Sequence, residues 1–173
     1  MRDRSKLENL YAAHATTVQA YARRRTDHVA ADDIVSEVFI AAWRHLDEIP
    51  EDPVAWLLGA ARKTLANQRR GAERQVALFQ RMADGHPAGT EDSAPMDGAI
   101  LRALSRLRPS DRELLLLITW DEVSPGQAAE ILDVRASTLS MRLRRARKRL
   151  ADELHEDEIG NAMYPAAVME TPR

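Results

Sequence analysis

The sequence contains no cysteine, which excludes disulfides, thiolate catalysis and Cys-based zinc sites together, and with them direct thiol sensing by this chain. Aromatic residues make up only 5%, as expected of small helical units. No apolar run approaches the roughly 20 residues that span a bilayer. The opening MRDRSKLENLY is charged and lacks the apolar centre of a signal peptide, so the expected location is cytoplasmic. An excess of one charge is missing too: 25 Lys and Arg stand against 27 Asp and Glu, a formal net charge of −2 over 173 residues. Affinity for nucleic acid must therefore be local. There is no Walker loop, no HExxH, no carboxylate cluster at metal spacing and no nucleophile triad. His14, His28, His45, His86 and His155 are scattered along the chain. No catalytic residue, metal or cofactor is expected.

The most informative stretch is residues 124–154, SPGQAAEILDVRASTLSMRLRRARKRLADEL. Ser124 reads as an N-cap, Pro125 as the first helical residue and Gln127 as the partner that closes a capping box. Ala128, Ile131 and Leu132 fall on one side of this short helix. The chain then breaks at Asp133-Val134-Arg135, where Asp is one of the few residues besides glycine that tolerates the left-handed turn. A second helix follows from about Ala136. Its Leu139, Leu143, Ala146 and Leu150 form a narrow stripe that must be buried. Ser137, Met141, Arg144 and Lys148 lie opposite, with Thr138, Arg142, Arg145 and Arg149 along one flank and Ser140 and Arg147 along the other. From Arg135 to Arg149 there are seven basic residues and no acidic one. A solvated face normally mixes signs to gain i,i+4 pairs, whereas unrelieved positive charge suits phosphates. The unit reads as a DNA-binding helix-turn-helix.

Upstream, Ser5 with Glu8 reads as a capping box for a helix of roughly 20 residues, with His14 as a packed histidine on its apolar side. It ends at Arg23-Arg24-Arg25, read as compensation of the helix dipole, with phosphate contact as the other reading. A second helix, about 30–46, buries Ile34, Val35, Val38, Phe39, Ala42 and Leu46, and an exposed Ile40 beside Glu37 suggests a partner surface. A polar loop leads to a third helix capped by Asp52 and opened by Pro53. Trp56, near its start, reads as core on the helix pattern and as a base-stacking residue otherwise. Periodicity fades from Gly71, and MADGHPAGTEDSAP marks a linker. Beyond it come a short helix from about Met96, another with Ser110 and Glu113 as capping box whose residues 114–118 are apolar all round, and the helix-turn-helix. The expected fold is all-α: residues 5–72 form one small helical domain, 73–95 a flexible linker, 96–154 a four-helix domain, and 155–173 a tail expected to be disordered.

Three segments carry a resemblance to a known family. AADDIVSEVFIAAWR (residues 30–44) resembles the core-polymerase-binding helix of bacterial sigma factors, and AWLLGAARKTLANQRR (55–70) their adjoining helix that reads the minus-ten element. LSRLRPSDRELLLL with the helix-turn-helix and RLRRARKRL resembles their minus-35-reading domain. With two such domains on a short linker, the whole resembles the extracytoplasmic-function (ECF) subfamily of sigma-70 factors over residues 5–154. The resemblance implies a specificity subunit without catalysis of its own, whose partners are core RNA polymerase (the largest subunit's clamp helices and the flap), promoter DNA and an anti-sigma factor. It implies polymerase contact through Asp32, Asp33, Ile34, Val35, Glu37 and Ile40. For the minus-ten element it implies Trp56, Arg62, Lys63, Asn67, Arg69 and Arg70, beside a pocket for an extruded base. For minus-35 it implies Arg135, Ser137, Thr138, Met141 and Arg142 at base edges, with Arg144, Arg145, Arg147 and Lys148 on phosphates.

Departures from the family pattern bear on promoter choice. Asp133 and Arg135 stand where Gly and a Ser or Thr cap are usual, Ser140-Met141 replaces a usual Lys-Ser, and Lys63 and Asn67 stand where Asn and Asp are common. The competing reading is a helix-turn-helix regulator that binds duplex DNA without polymerase, which has no use for the helix at 30–44. An enzyme acting on nucleic acid is the other alternative, and no motif supports it.

Overall fold

The computed structural model describes the backbone of residues 4–80 and 98–163, and the side chains of 4–71 and 98–155. Among these it contains seven α-helices and no strand: α1 (Arg4–Arg23), α2 (His28–Arg44), α3 (Val54–Gln80), α4 (Gly98–Arg106), α5 (Pro109–Thr119), α6 (Pro125–Ile131) and α7 (Ala136–Met163). Helices α1–α3 make the N-terminal unit. Val18, Tyr21 and Ala22 of α1 meet Ile34, Val38 and Ala42 of α2 and Leu57, Leu58 and Ala61 of α3, all fully or almost fully buried. In the C-terminal unit α5 lies at the centre, with Leu114, Leu115, Leu116 and Leu117 buried against Ile131, Leu139 and Ala146.

Local chemistry sets most of the ends. Asp27 caps α2, its side chain accepting from the Ala30 amide at 2.8 Å, so that helix starts two residues earlier than its apolar pattern suggests. Asp52 accepts from the Val54 amide at 3.4 Å, a long contact, at the start of α3. The capping box of α6 is present in both halves, Gln127 N to Ser124 Oγ at 3.2 Å and Ser124 N to Gln127 Oε1 at 2.8 Å. Asp133 turns the chain at φ 53°, and Val134 is half-buried below it.

Other expectations fail. Ser5 lies inside α1, and Glu8 pairs with Arg4 at 2.8 Å instead of capping the helix. Helix α5 is capped by Arg108 without a side-chain bond and starts at Pro109, because proline at the first turn needs no donor; Ser110 and Glu113 form no capping box. Helix α3 runs on to Gln80, taking in the first eight positions assigned to the linker, since GAERQVALFQ consists mainly of good helix formers whatever its apolar periodicity. The start of the tail is likewise helical, α7 continuing to Met163. The rest of the linker and tail, residues 81–97 and 164–173, lies outside the described residues.

Tyr21 is fully buried, and among the described residues its hydroxyl has no hydrogen-bond partner. Burial pushes its pKa from 10.0 up to about 12, Arg25 opposing and Glu113 and Asp121 reinforcing the rise. The unfolded tyrosine ionises first, so stability present below pH 10 is lost as pH climbs through about 12. An unpaired buried hydroxyl costs roughly 1–3 kcal/mol. Tyr21→Phe should therefore raise stability by about 1 kcal/mol and flatten the alkaline loss, as read by urea unfolding across the alkaline range.

Candidate nucleic-acid interface

The long helix α7 separates its faces cleanly. Leu139, Leu143 and Ala146 are buried, while Ser137, Thr138, Met141, Arg144, Arg145, Arg147 and Lys148 are exposed and Arg142 is half-buried. Met141 is 57% exposed, high for a large apolar side chain. It lies in a shallow groove with Ser140, Arg144, Arg145 and Lys148. Arg135 stands exposed just before the helix. Among the described residues none of these cations has a carboxylate partner. Arg149 differs, because it pairs with the buried Asp111 of α5 and thereby ties α7 to the domain core.

Helix α3 splits its six candidates into two stripes. At about 100° per residue, Trp56, Lys63, Asn67 and Arg70 share one side, and Arg62 and Arg69 another. Trp56 is half-buried, its ring centroid 6.5 Å from that of His45. Asn67 accepts from Arg70 Nη2 at 2.6 Å. Arg69 donates to the Arg25 carbonyl at 3.2 Å, and Arg62 Nε donates to Glu113 Oε1 of the C-terminal unit at 2.9 Å. The arginine run after α1 is engaged as well: Arg24 and Arg25 both hold Asp121. Arg25 also donates to the Tyr21 carbonyl in the last turn of α1, in keeping with the dipole reading, and Arg23 is exposed.

On α2, Asp33, Glu37 and Ile40 are exposed, Ile40 at 51%. Asp32 is exposed but accepts from Gln19 Nε2 at 3.0 Å. Ile34 is fully buried and Val35 nearly so. Both are core residues beneath the surface, which corrects their assignment as contact residues: the period of the helix points them at α1 and α3. Sequence reasoning missed Val29, at 77% the most exposed large apolar residue among the described residues. It stands eleven positions before Ile40, so at about 100° per residue the two share a stripe with Asp33 between them; that spacing was the available signal.

An exposed acidic face with apolar anchors, a cationic third helix and a basic helix-turn-helix thus occur in that order. The sigma-70 region 2 family matches residues 10–75 and the sigma-70 region 4 family matches residues 97–150. The ECF RNA polymerase sigma factor SigL of Mycobacterium tuberculosis (strain ATCC 25618 / H37Rv) is 30% identical over 155 residues, covering 85% of this chain and 88% of the relative. The chain belongs to the ECF subfamily of sigma-70 RNA polymerase sigma factors. The RNA polymerase sigma factor NccH of Alcaligenes xylosoxydans xylosoxydans is 30% identical over 139 residues, 74% of this sigma factor and 75% of the relative. The sigma factor RpoE of Bartonella quintana, solved in complex with the anti-sigma factor NepR, superimposes with a TM-score of 0.67 at 24% identity over 86% of this chain and 96% of that one, which shows the shared fold. Among the described residues no helix is long and apolar enough to cross a membrane.

Proposed function

We propose that three surfaces of this sigma factor divide the work of initiation. The α2 face built from Val29, Asp33, Glu37 and Ile40, with Asp32 at its edge, docks on core RNA polymerase: an acidic rim around apolar anchors suits a basic coiled coil, such as the clamp helices. The α3 side bearing Trp56, Lys63, Asn67 and Arg70, with Arg62 and Arg69 beside it, takes the melted minus-ten strand. Trp56 stacks on a base there and the cations follow the phosphates. The start of α7 enters the major groove at minus-35. Arg135, Ser137, Thr138, Met141 and Arg142 read base edges there, Arg144, Arg145, Arg147 and Lys148 hold phosphates, and the rest of the unit meets the polymerase flap. The protein acts in the cytoplasm, catalyses nothing itself and is held in reserve by an anti-sigma factor, as RpoE is bound by NepR.

The observation that carries this reading is the α2 face, because a duplex-binding regulator has no use for two solvent-facing aliphatic residues ringed by carboxylates. Run-off transcription from fragmented genomic DNA with sigma-free core polymerase, with and without the protein, tests it. New 5′ ends that share two spaced upstream elements are expected. No new ends, together with tight binding of duplex DNA by the protein alone, would favour the regulator.

The same assay separates positioning from reading on α7. Arg144→Ala should weaken all promoters alike and reduce the salt dependence of binding, while Arg142→Ala should cost about 1–3 kcal/mol and alter base preference at one position. Equal effects of Arg142→Ala on every promoter would contradict its base-reading role.

A further inference from the structure

We propose that Met141 reads the 5-methyl group of a pyrimidine, thymine in ordinary DNA, at one position of the minus-35 element. The inference rests on the assignment of α7 to that element and names the base selected there.

Met141 is 57% exposed, and its place on the helix is specific. With the buried Leu139, Leu143 and Ala146 as the inner line of α7, at about 100° per residue Met141 lies almost diametrically opposite them. It also stands within the first two turns of the helix, the part of a recognition helix that reaches base edges. Arg144, Arg145 and Lys148 surround it, exposed and without a carboxylate partner among the described residues. With Ser140 these side chains frame a shallow groove of about 440 Å³. Ser140 does not compete for the same base, because its hydroxyl donates back to the Ala136 carbonyl at 3.2 Å. An apolar side chain on the outermost line of a cationic face is thus the first to meet the floor of a groove whose walls are phosphates.

The chemistry of that floor leaves one good partner. In the major groove guanine and adenine present acceptors and donors, cytosine an amino donor, and only thymine an apolar group, the methyl at C5. A thioether donates no hydrogen bond and accepts only weakly. Over guanine, adenine or cytosine it would cover polar atoms and leave them unpaired, which is unfavourable. Against the thymine methyl it removes apolar surface from water on both sides. Its rotatable bonds let methionine follow the methyl where a stiffer side chain would have to fit in advance. Met141 stands where serine is usual in the family, so the preference belongs to this chain and not to the family at large.

Deoxyuridine tests this, since it keeps every hydrogen-bonding atom of thymidine and removes only the methyl. On the promoter that run-off sequencing supplies, each minus-35 thymidine on either strand is replaced in turn, and binding by the holoenzyme is measured. One replacement should weaken binding about three- to fivefold, the factor for about one buried methyl group, and the others should change it little. Met141→Ala should lose a similar factor on the thymidine duplex and bind the thymidine and deoxyuridine duplexes equally. At the same position, paired with guanine, 5-methylcytosine should bind about three- to fivefold more tightly than cytosine, again only with Met141 in place; this separates the methyl from the rest of thymine.

A minus-35 element without a T·A pair, indifference of the parent to every replacement, or a methyl sensitivity that Met141→Ala retains in full would each overturn the contact. So would weaker core-polymerase affinity of Met141→Ala without any methyl sensitivity, which would place Met141 on a protein partner. Arg144→Ala checks the underlying assignment separately: if it weakens promoter binding while methyl sensitivity is absent, the α7 assignment stands and the methyl contact does not. If no promoter emerges, the same replacements are made in the duplex that the protein alone selects from a random pool, and failure to select any duplex refutes both.

Discussion

Val29→Asp combined with Ile40→Asp is expected to lower affinity for core RNA polymerase by at least about a hundredfold while leaving the fold intact. The two side chains are 77% and 51% exposed and lie on one stripe of α2, so neither supports the core of the free protein. Exposed substitutions of this kind usually shift stability by no more than about 0.5 kcal/mol. Covering an aliphatic side chain at an interface is worth roughly 1.5–3 kcal/mol, and each 1.4 kcal/mol is about tenfold in affinity. Burying an aspartate against a partner adds a desolvation cost. Titration of labelled core polymerase measures the loss, and thermal unfolding checks the fold. Full retention of polymerase binding by the folded double variant would remove the α2 face from the docking assignment.

The second large effect concerns stability. Leu139→Ala should cost the C-terminal unit about 3–5 kcal/mol, because the side chain is fully buried among helices that cannot collapse into the space it leaves. That is a large part of the roughly 5–15 kcal/mol typical of a whole protein. Amide exchange should show protection falling in α5–α7, with minus-35 binding lost at the same temperature. Met141→Ala, two positions on and 57% exposed, is the counterpart: stability within about 0.5 kcal/mol of the parent but altered minus-35 affinity. If Leu139→Ala proved as mild as Met141→Ala, the burial pattern of α7 would be wrong.

Much of the fold is legible in the residues alone. Leu139, Leu143 and Ala146, the all-round apolar run after Glu113, and the pair Ser124 and Gln127 all lie where periodicity and capping chemistry put them, because each depends on residues within a turn or two. The misreadings arise where several partners compete for one polar group. Glu113 is spaced for a capping box and goes instead to Arg62, 51 residues away. The arginines after α1 read as compensation of a helix dipole, and Arg25 does donate to the Tyr21 carbonyl in the last turn of that helix, but Arg24 and Arg25 are also claimed by a carboxylate in the other domain. Ile34 and Val35 sit in a segment that resembles a docking helix, yet the helix period turns them inward and leaves Val29 and Ile40 outside.

What the sequence by itself determined is the family, the helices, the basic reading helix and the exclusion of thiol chemistry. These follow from local periodicity, charge spacing and the residue types present. Only the tertiary structure decided which charges are free to meet DNA and which are already spent. An arginine's sequence neighbours do not reveal whether a carboxylate 51 or 97 residues away will reach it first. Asp121, one acidic residue among 27 in the chain, is distinguished by nothing in its neighbourhood. Its role comes from the loop that buries it against two guanidinium groups, where a charge removed from water must keep its partners.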